Sequence, residues 1–240
     1  MNIKTFKTLS RRLSCAALSL LATITLLSAC SSDYETIPAP YYPEATTPSA
    51  VVTVKHAADS TVYLQLDDST TLYPQNLENR IFGGKEVRAF VYYNETKPNN
   101  SPYTYSVIVQ HIDSILTKQT VETLGTRNDS VYGNDDIEIQ SGFPTVCEDN
   151  YLTLFVTARW GRTDKKHLIN LVRGTNPDDP YELELRHNAY GDTNGQQASS
   201  TVAFSLKALP KTGGKTVKLK VKYSSAGTRR TVEFDYRTKD

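Results

Sequence analysis

Four histidines, three cysteines and 26 acids are the residues of this chain whose types could do chemistry, and their spacing decides which chemistry. A metal site on a strand wants histidines at i, i+2, and one on a helix wants them at i, i+4. His56, His111, His167 and His187 offer neither spacing. His167 and His187 approach each other only if the strands that carry them pair, and the plain reading is polar residues at strand ends making hydrogen bonds. A nucleophilic thiol needs a base and an electropositive setting. Cys147 is followed instead by Glu148 and Asp149, whose charges raise its pKa, so it reads as a structural thiol. The runs Asn134-Asp135-Asp136 and Asn176-Pro177-Asp178-Asp179 have the composition of calcium loops but lack the twelve-residue spacing closed by a glutamate. Turn formation accounts for them. No pair of carboxylates is singled out for glycoside hydrolysis, and Gly83-Gly84-Lys85 is too short to cradle a phosphate. The expectation is no catalytic residue, no metal and no cofactor.

The remaining two cysteines belong to the N-terminal segment. Lys4, Lys7, Arg11 and Arg12 precede a run from Leu13 to Ala29 that is almost wholly apolar or small, and no acid appears before Asp33. That is the charge pattern of an export signal. The run, about 17 residues, sits at the short limit for spanning a roughly 30 Å hydrocarbon core. It ends in Leu27-Ser28-Ala29-Cys30, which resembles the lipobox of bacterial lipoproteins: an aliphatic residue, two small ones, then the cysteine that receives the lipid. Residues 1–29 therefore read as a lipoprotein signal peptide and Cys30 as the lipidation site, carrying acyl chains such as palmitate. Cleavage removes four bases and no acid, so the 27 bases and 26 acids become 23 and 26. A nearly neutral chain without a basic run gives nucleic acid nothing to bind. With Cys15 lost and Cys30 lipidated, Cys147 has no disulfide partner.

Residues 30–50 are rich in Pro, Ser and Thr and read as a flexible lipidated tether. Beyond them the hydrophobic period is 2 almost throughout, which predicts an all-β fold in two barrel-like or sandwich-like units. Val87, Ala89, Val91 and Tyr93 share one strand face, and Tyr103, Tyr105, Val107 and Val109 share the next. The stretch 113–123 reads equally as short helix or continued strand. Residues 151–160 are apolar on both sides in the middle, as in a strand covered on both faces, and 167–172 is expected to pair with it across a turn at 161–166. In the last hairpin Val221 opposite Val232 aligns Leu219 with Phe234 and Val217 with Tyr236. The same register sets Lys220 against Glu233 and Lys218 against Asp235, so apolar and ionic pairing agree.

The segments 147–154, Trp160-Gly161, 166–172 and Tyr181-Glu182-Leu183-Glu184-Leu185-Arg186-His187-Asn188 resemble the NigD-like lipoproteins of Bacteroidetes, with an acid and Tyr opening a strand, a Trp closing it, and Leu-Arg-His-Asn ending the third. The Ile112–Lys118 stretch fits the same pattern. The resemblance covers roughly residues 55–240. It implies an N-terminal OB-like barrel followed by a C-terminal β-sandwich, assigned here to residues 51–130 and 131–240. It brings no established chemistry. On such a barrel, Tyr63, Tyr92, Tyr93, Tyr103 and Tyr105 are candidate stacking residues for a glycan or peptide, while tyrosine is also simply a favoured strand residue. Four Asp-Ser steps, at Ser60, Ser69, Ser114 and Ser130, look like the sequon that Bacteroidetes use for O-glycosylation and are candidate modification sites. The expected function is that of a non-enzymatic lipoprotein of the cell envelope, held by its lipid on the outer membrane and facing either side, with a binding or accessory role. The alternatives are a hydrolase of envelope or dietary glycans and a factor protecting against a bacteriocin.

Overall fold

The computed structural model describes residues 50–97, 102–162 and 164–239. The signal segment, Cys30 and the tether up to residue 49 lie outside the described residues.

The first unit is a closed barrel. Strands β1 (Ala50–His56), β2 (Val62–Gln65), β3 (Thr71–Pro74), β4 (Val87–Glu95) and β5 (Tyr105–Ser114) join in the order β1-β2-β3-β5-β4. Closure removes the free edges that an open sheet of these short strands would expose. Val52, Val54, Val62, Leu64, Leu72, Ala89, Val91, Val107 and Val109 fill the interior, with Val87 and Tyr93 packed against them. The β4 face read from the sequence is therefore the inner face, and it survives a bulge between Tyr92 and Tyr93. On β5 the inward alternation holds for Val107 and Val109, whereas Tyr105 at the strand's start stays 47% exposed.

The sandwich begins at Leu116 rather than at residue 131. The undecided stretch after Asp113 is strand: β6 (Leu116–Gln119) and β7 (Val121–Glu122). One sheet runs β6-β13-β10-β8, where β8 is Glu138–Gln140, β10 Tyr151–Trp160 and β13 Gln196–Ser205; β9 (Val146–Glu148) also pairs β10. The other runs β15-β14-β12-β11-β7, with β11 Leu168–Arg173, β12 Glu182–Asn188, β14 Val217–Ser225 and β15 Thr228–Tyr236. Because β6 and β7 make parallel pairs with β13 and β11, residues 116–122 supply an edge strand to each sheet. The limit between residues 130 and 131 falls inside α1 (Asn128–Tyr132), which leads to β8. Leu152, Leu154, Val156, Ile169, Leu171, Leu183, Leu185, Phe204 and Leu219 pack between the sheets.

Two pairing expectations have opposite outcomes. The β14–β15 register is the one read from the sequence, Val221 to Val232, Leu219 to Phe234, Val217 to Tyr236 and both charge pairs included. The expected hairpin between β10 and β11 does not form. β13 pairs with β10 along its whole length and β8 and β9 occupy the other side, so β10 has no edge left for β11. The 161–166 connection instead carries the chain across to the opposite sheet. Gly195 at the start of β13 permits this crossing, since a Cβ there would lie 2.0 Å from the Trp160 carbonyl group.

The barrel also explains why β10 is apolar on both sides. Its Leu152, Leu154 and Val156 face the sandwich core, while Tyr151 and Thr153 on the reverse face meet barrel residues. Val51, Phe90, Ile115 and Ala203 form a small apolar cluster in that junction. Beside it Arg88 is completely buried. Its Nε donates to Thr153 Oγ1 (3.2 Å), Nη1 donates to Thr53 Oγ1 (3.1 Å), and Nη2 has no partner. Lys55 pairs with the buried carboxylate of Asp149 at 2.7 Å across the same junction.

Candidate functional site

The tyrosines of the barrel separate into different roles. Tyr63 and Tyr73 project from the neighbouring strands β2 and β3, and Tyr103 stacks on both, at ring-centroid distances of 5.2 and 5.7 Å. Tyr73 was not singled out in the sequence, although its place in a short alternating strand was readable. Tyr92 is buried with its ring against His111, and Tyr93 packs on the barrel core. Of the five only Tyr105 is exposed, at 47%. Ser60, Ser114, Ser69 and Ser130 lie at or near the surface; Ser60 is in the turn closed by the Ser60 N–H to Ala57 carbonyl bond, and Ser130 donates to the Arg127 carbonyl. Cys147, on β9, packs beside the sandwich core. Burial first, and then the charges of Asp68 and Glu148, push its thiol up to about 12.

A cavity of about 720 Å³ opens at the end of the sandwich where β10, β12 and β14 finish and β8 and β13 begin. Its wall includes Asp135, Asp136, Glu138, Arg159, His187 and Thr193. The barrel junction lies at Tyr151 and Thr153, the other end of the ten-residue β10.

Behind the wall the two histidines of the sandwich meet. β11 and β12 pair antiparallel with Ile169 opposite His187, so His167 at the head of β11 reaches the end of β12. His167 Nδ1 lies 2.9 Å from His187 Nε2, His187 Nδ1 lies 3.0 Å from the Asp136 carbonyl oxygen, and His167 Nε2 lies 3.2 Å from Asp192 Oδ2. Both end partners are acceptors only, a carbonyl and a carboxylate, so His187 Nδ1 and His167 Nε2 each carry a hydrogen. One more hydrogen fills the central bond. Asp192 also accepts the Gly161 and Arg162 backbone N–H groups. Burial raises its pKa, but the hydrogen bonds from Gly161, His167 and Arg162 outweigh this and leave the carboxyl below its usual range. His187 moves down, chiefly because burial disfavours its charged form. The Trp160 ring lies parallel to His167 at 3.7 Å, closing the other side.

Both ring nitrogens of His187 are engaged in hydrogen bonds. The carboxylates are held as well. Asp135 accepts the Ala189 N–H, Asp136 accepts the Gly227 N–H, and Glu138 accepts Ser225 Oγ and Tyr223 OH. The acidic run 134–136 thus terminates strands. Among the described residues no group of three His, Cys, Asp or Glu side chains converges as metal ligands. Asp192 and the Trp160 stacking were missed in the sequence; the available signal was the Trp that closes β10 and the Arg-His-Asn that ends β12.

Two family models divide the chain at the structural boundary. The NigD-like N-terminal OB domain matches residues 51–115 and the NigD-like C-terminal beta sandwich domain matches residues 119–236. The chain belongs to the NigD-like family. Among solved structures, a candidate toxin-related protein from Parabacteroides distasonis is 32% identical, with a TM-score of 0.66 over 78% of this chain and 92% of that one. A NigD-like immunity protein from Bacteroides caccae is 17% identical, with a TM-score of 0.56 over 83% and 100%. A candidate lipoprotein from Bacteroides fragilis is 16% identical, with a TM-score of 0.52 over 80% and 98%. Among curated proteins none matches the chain. In this NigD-like chain the family boundary falls between Ile115 and Gln119, which again places β6 and β7 at the entrance to the sandwich.

Proposed function

We propose that this NigD-like protein is a lipid-anchored, non-catalytic binding module of the cell envelope, which presents the cavity at the free end of its sandwich to a glycan or peptide. The observation that carries the reading is the cavity wall itself. Its polar groups are already oriented by hydrogen bonds to one another, which suits recognition with little reorganisation and leaves no unengaged acid–base pair. Cys30, in its Leu-Ser-Ala-Cys setting, supplies the anchor, and three acyl chains hold firmly where a single chain is marginal. Outer-membrane attachment is part of the proposal, and the name of the B. fragilis relative, a candidate lipoprotein, supports it.

Exposed Thr193 lines the cavity and gives a clean test. Thr193→Trp fills the mouth without touching the core. Envelope oligosaccharides and envelope peptides that bind the parent protein in calorimetry should lose binding to this variant. Binding unchanged by the variant removes the cavity from the proposal, and turnover of any bound glycan establishes a hydrolase instead. Protease added to intact cells, with a Cys30→Ala control, distinguishes a surface-facing from a periplasm-facing protein.

A second reading, protection against a bacteriocin, is favoured by the names of two relatives, one toxin-related and one an immunity protein. Deletion followed by challenge with culture supernatants of neighbouring strains tests it; equal survival with and without the gene refutes it.

A further inference from the structure

The histidine pair behind the cavity has a fixed proton capacity. Its four ring nitrogens take part in three hydrogen bonds: His167 Nε2 to Asp192, His167 Nδ1 to His187 Nε2, and His187 Nδ1 to the Asp136 carbonyl. Each bond uses one hydrogen, so three hydrogens complete the chain. A fourth has only the inner nitrogens to occupy. It would set two N–H groups head-on across the 2.9 Å gap, removing the central bond and placing two positive rings in contact. The backbone geometry turns that local repulsion into a movement of the wall. His187 holds the segment before β8 twice, by its ring to the Asp136 carbonyl and by its own carbonyl, which accepts the Asp135 N–H at 2.9 Å.

We infer that the Asp192–His167–His187–Asp136 chain is a proton-operated latch on the sandwich-end cavity, closed with three ring protons and released by the fourth. The ligand-binding role of that cavity is the reading given above; the latch is a property of the fold and is measured without ligand.

The groups facing the latch set the direction in which it works. On the β12 side His187 meets His167 and the carboxylate of Asp135. His167 meets the Trp160 ring from β10 and Asp192 from the connection between β12 and β13. Asp192 receives the Gly161 and Arg162 N–H groups, and the Arg162 side chain is turned to Asp164. The cation that bears on His187 is His167, while Arg159 lines the same cavity wall and Lys166 precedes His167 in the chain. Acidification alone therefore loads the fourth proton, and release belongs to the acid side of the ordinary histidine range.

Trp160 is the chain's single tryptophan, so its emission reports on the ring it covers. The test follows the full mature protein in detergent from about pH 8 to about pH 4, the range in which histidine changes charge. Three signals are read together: histidine ring-nitrogen chemical shifts, Trp160 emission, and amide exchange at residues 135–137 and Ala189, corrected for intrinsic rates. The expected result is a shared transition, with those amides exchanging at least about tenfold faster once both rings hold two protons, while the β4–β5 amides of the barrel stay protected. His187→Asn keeps a donor for the Asp136 carbonyl and has no second proton to bind, so its transition should vanish. Uptake of the fourth ring proton by the pair with unchanged emission and exchange overturns the latch. So does a pair that stays at three ring protons until the whole protein unfolds. A latch that works in a protein whose Thr193→Trp variant binds as the parent does would leave the latch standing and remove the binding site.

Discussion

Replacing Arg88 should separate two contributions that its burial combines. The guanidinium is fully buried between barrel and sandwich, bonded only to the hydroxyls of Thr53 and Thr153, with Nη2 unpaired. Burial lowers its pKa, and the charges of Glu148 and Asp149 oppose this. Arg88→Ala removes two charge-assisted hydrogen bonds, leaves the buried hydroxyls of Thr53 and Thr153 without that donor and empties the space of the stem, which together cost about 3–5 kcal/mol. Arg88→Met keeps most of the stem volume and also removes the desolvation of a charge with an unmet donor, so its cost should stay below about 1.5 kcal/mol near pH 6. The two variants also differ from the parent in pH dependence. Glu148 already has a raised pKa from burial, held back first by Arg88. Without that cation it rises further, and a carboxyl raised in the folded state contributes stability that is lost as pH increases through its folded value. Arg88→Met should therefore lose more stability than the parent does between about pH 4 and about pH 7, a window that starts at the ordinary glutamate value. Urea unfolding at both pH values, followed by far-ultraviolet dichroism and Trp160 emission, reads all of this. Equal losses for Met and Ala would mean that the charge and its bonds dominate over filled volume, and a pH-independent Arg88→Met would show that Glu148 does not sense Arg88; either result refutes the reasoning.

Gly195→Ala should cost more than about 3 kcal/mol, because the new Cβ would sit 2.0 Å from the Trp160 carbonyl; thermal unfolding checks it, and a shift within error would place the crossing elsewhere. Cys147, with its thiol raised to about 12, should resist iodoacetamide at pH 8 in the folded state, where only about one molecule in ten thousand is thiolate, and become labelled in urea. His187 has a folded pKa below its ordinary value, so the stability it contributes is present above about pH 6.5 and lost as pH falls below it, at up to about 1.4 kcal/mol per pH unit; His187→Asn should flatten this limb of the urea-unfolding profile. If Ser60, Ser69, Ser114 or Ser130 carries sugar, intact mass from the native cell exceeds that of the lipidated chain, and Ser→Ala at the site removes the excess; a mass equal to the lipidated chain excludes all four.

The residues disclosed some features outright and others only in three dimensions. The β14–β15 register was legible because Lys218 against Asp235 and Leu219 against Phe234 demand the same alignment, and a one-residue slip violates both. The inner face of β4 was legible for the same reason, since alternation with period 2 states which side of a strand is apolar. Alternation does not state which strand lies alongside. The β10–β11 hairpin was expected because an apolar run, a polar turn and a second apolar run look the same whether the chain folds back in one sheet or crosses to another, and the choice fell to β13, β8 and β9, which take both edges of β10. Tertiary structure likewise decided that Arg88 is buried and that Trp160, His167, His187 and Asp192 converge. Each is a polar or aromatic residue whose partners lie 5 to 65 positions away. Satisfying a buried polar group over such separations leaves no mark on its sequence neighbours, so only the packed sheets determine where those hydrogen bonds close.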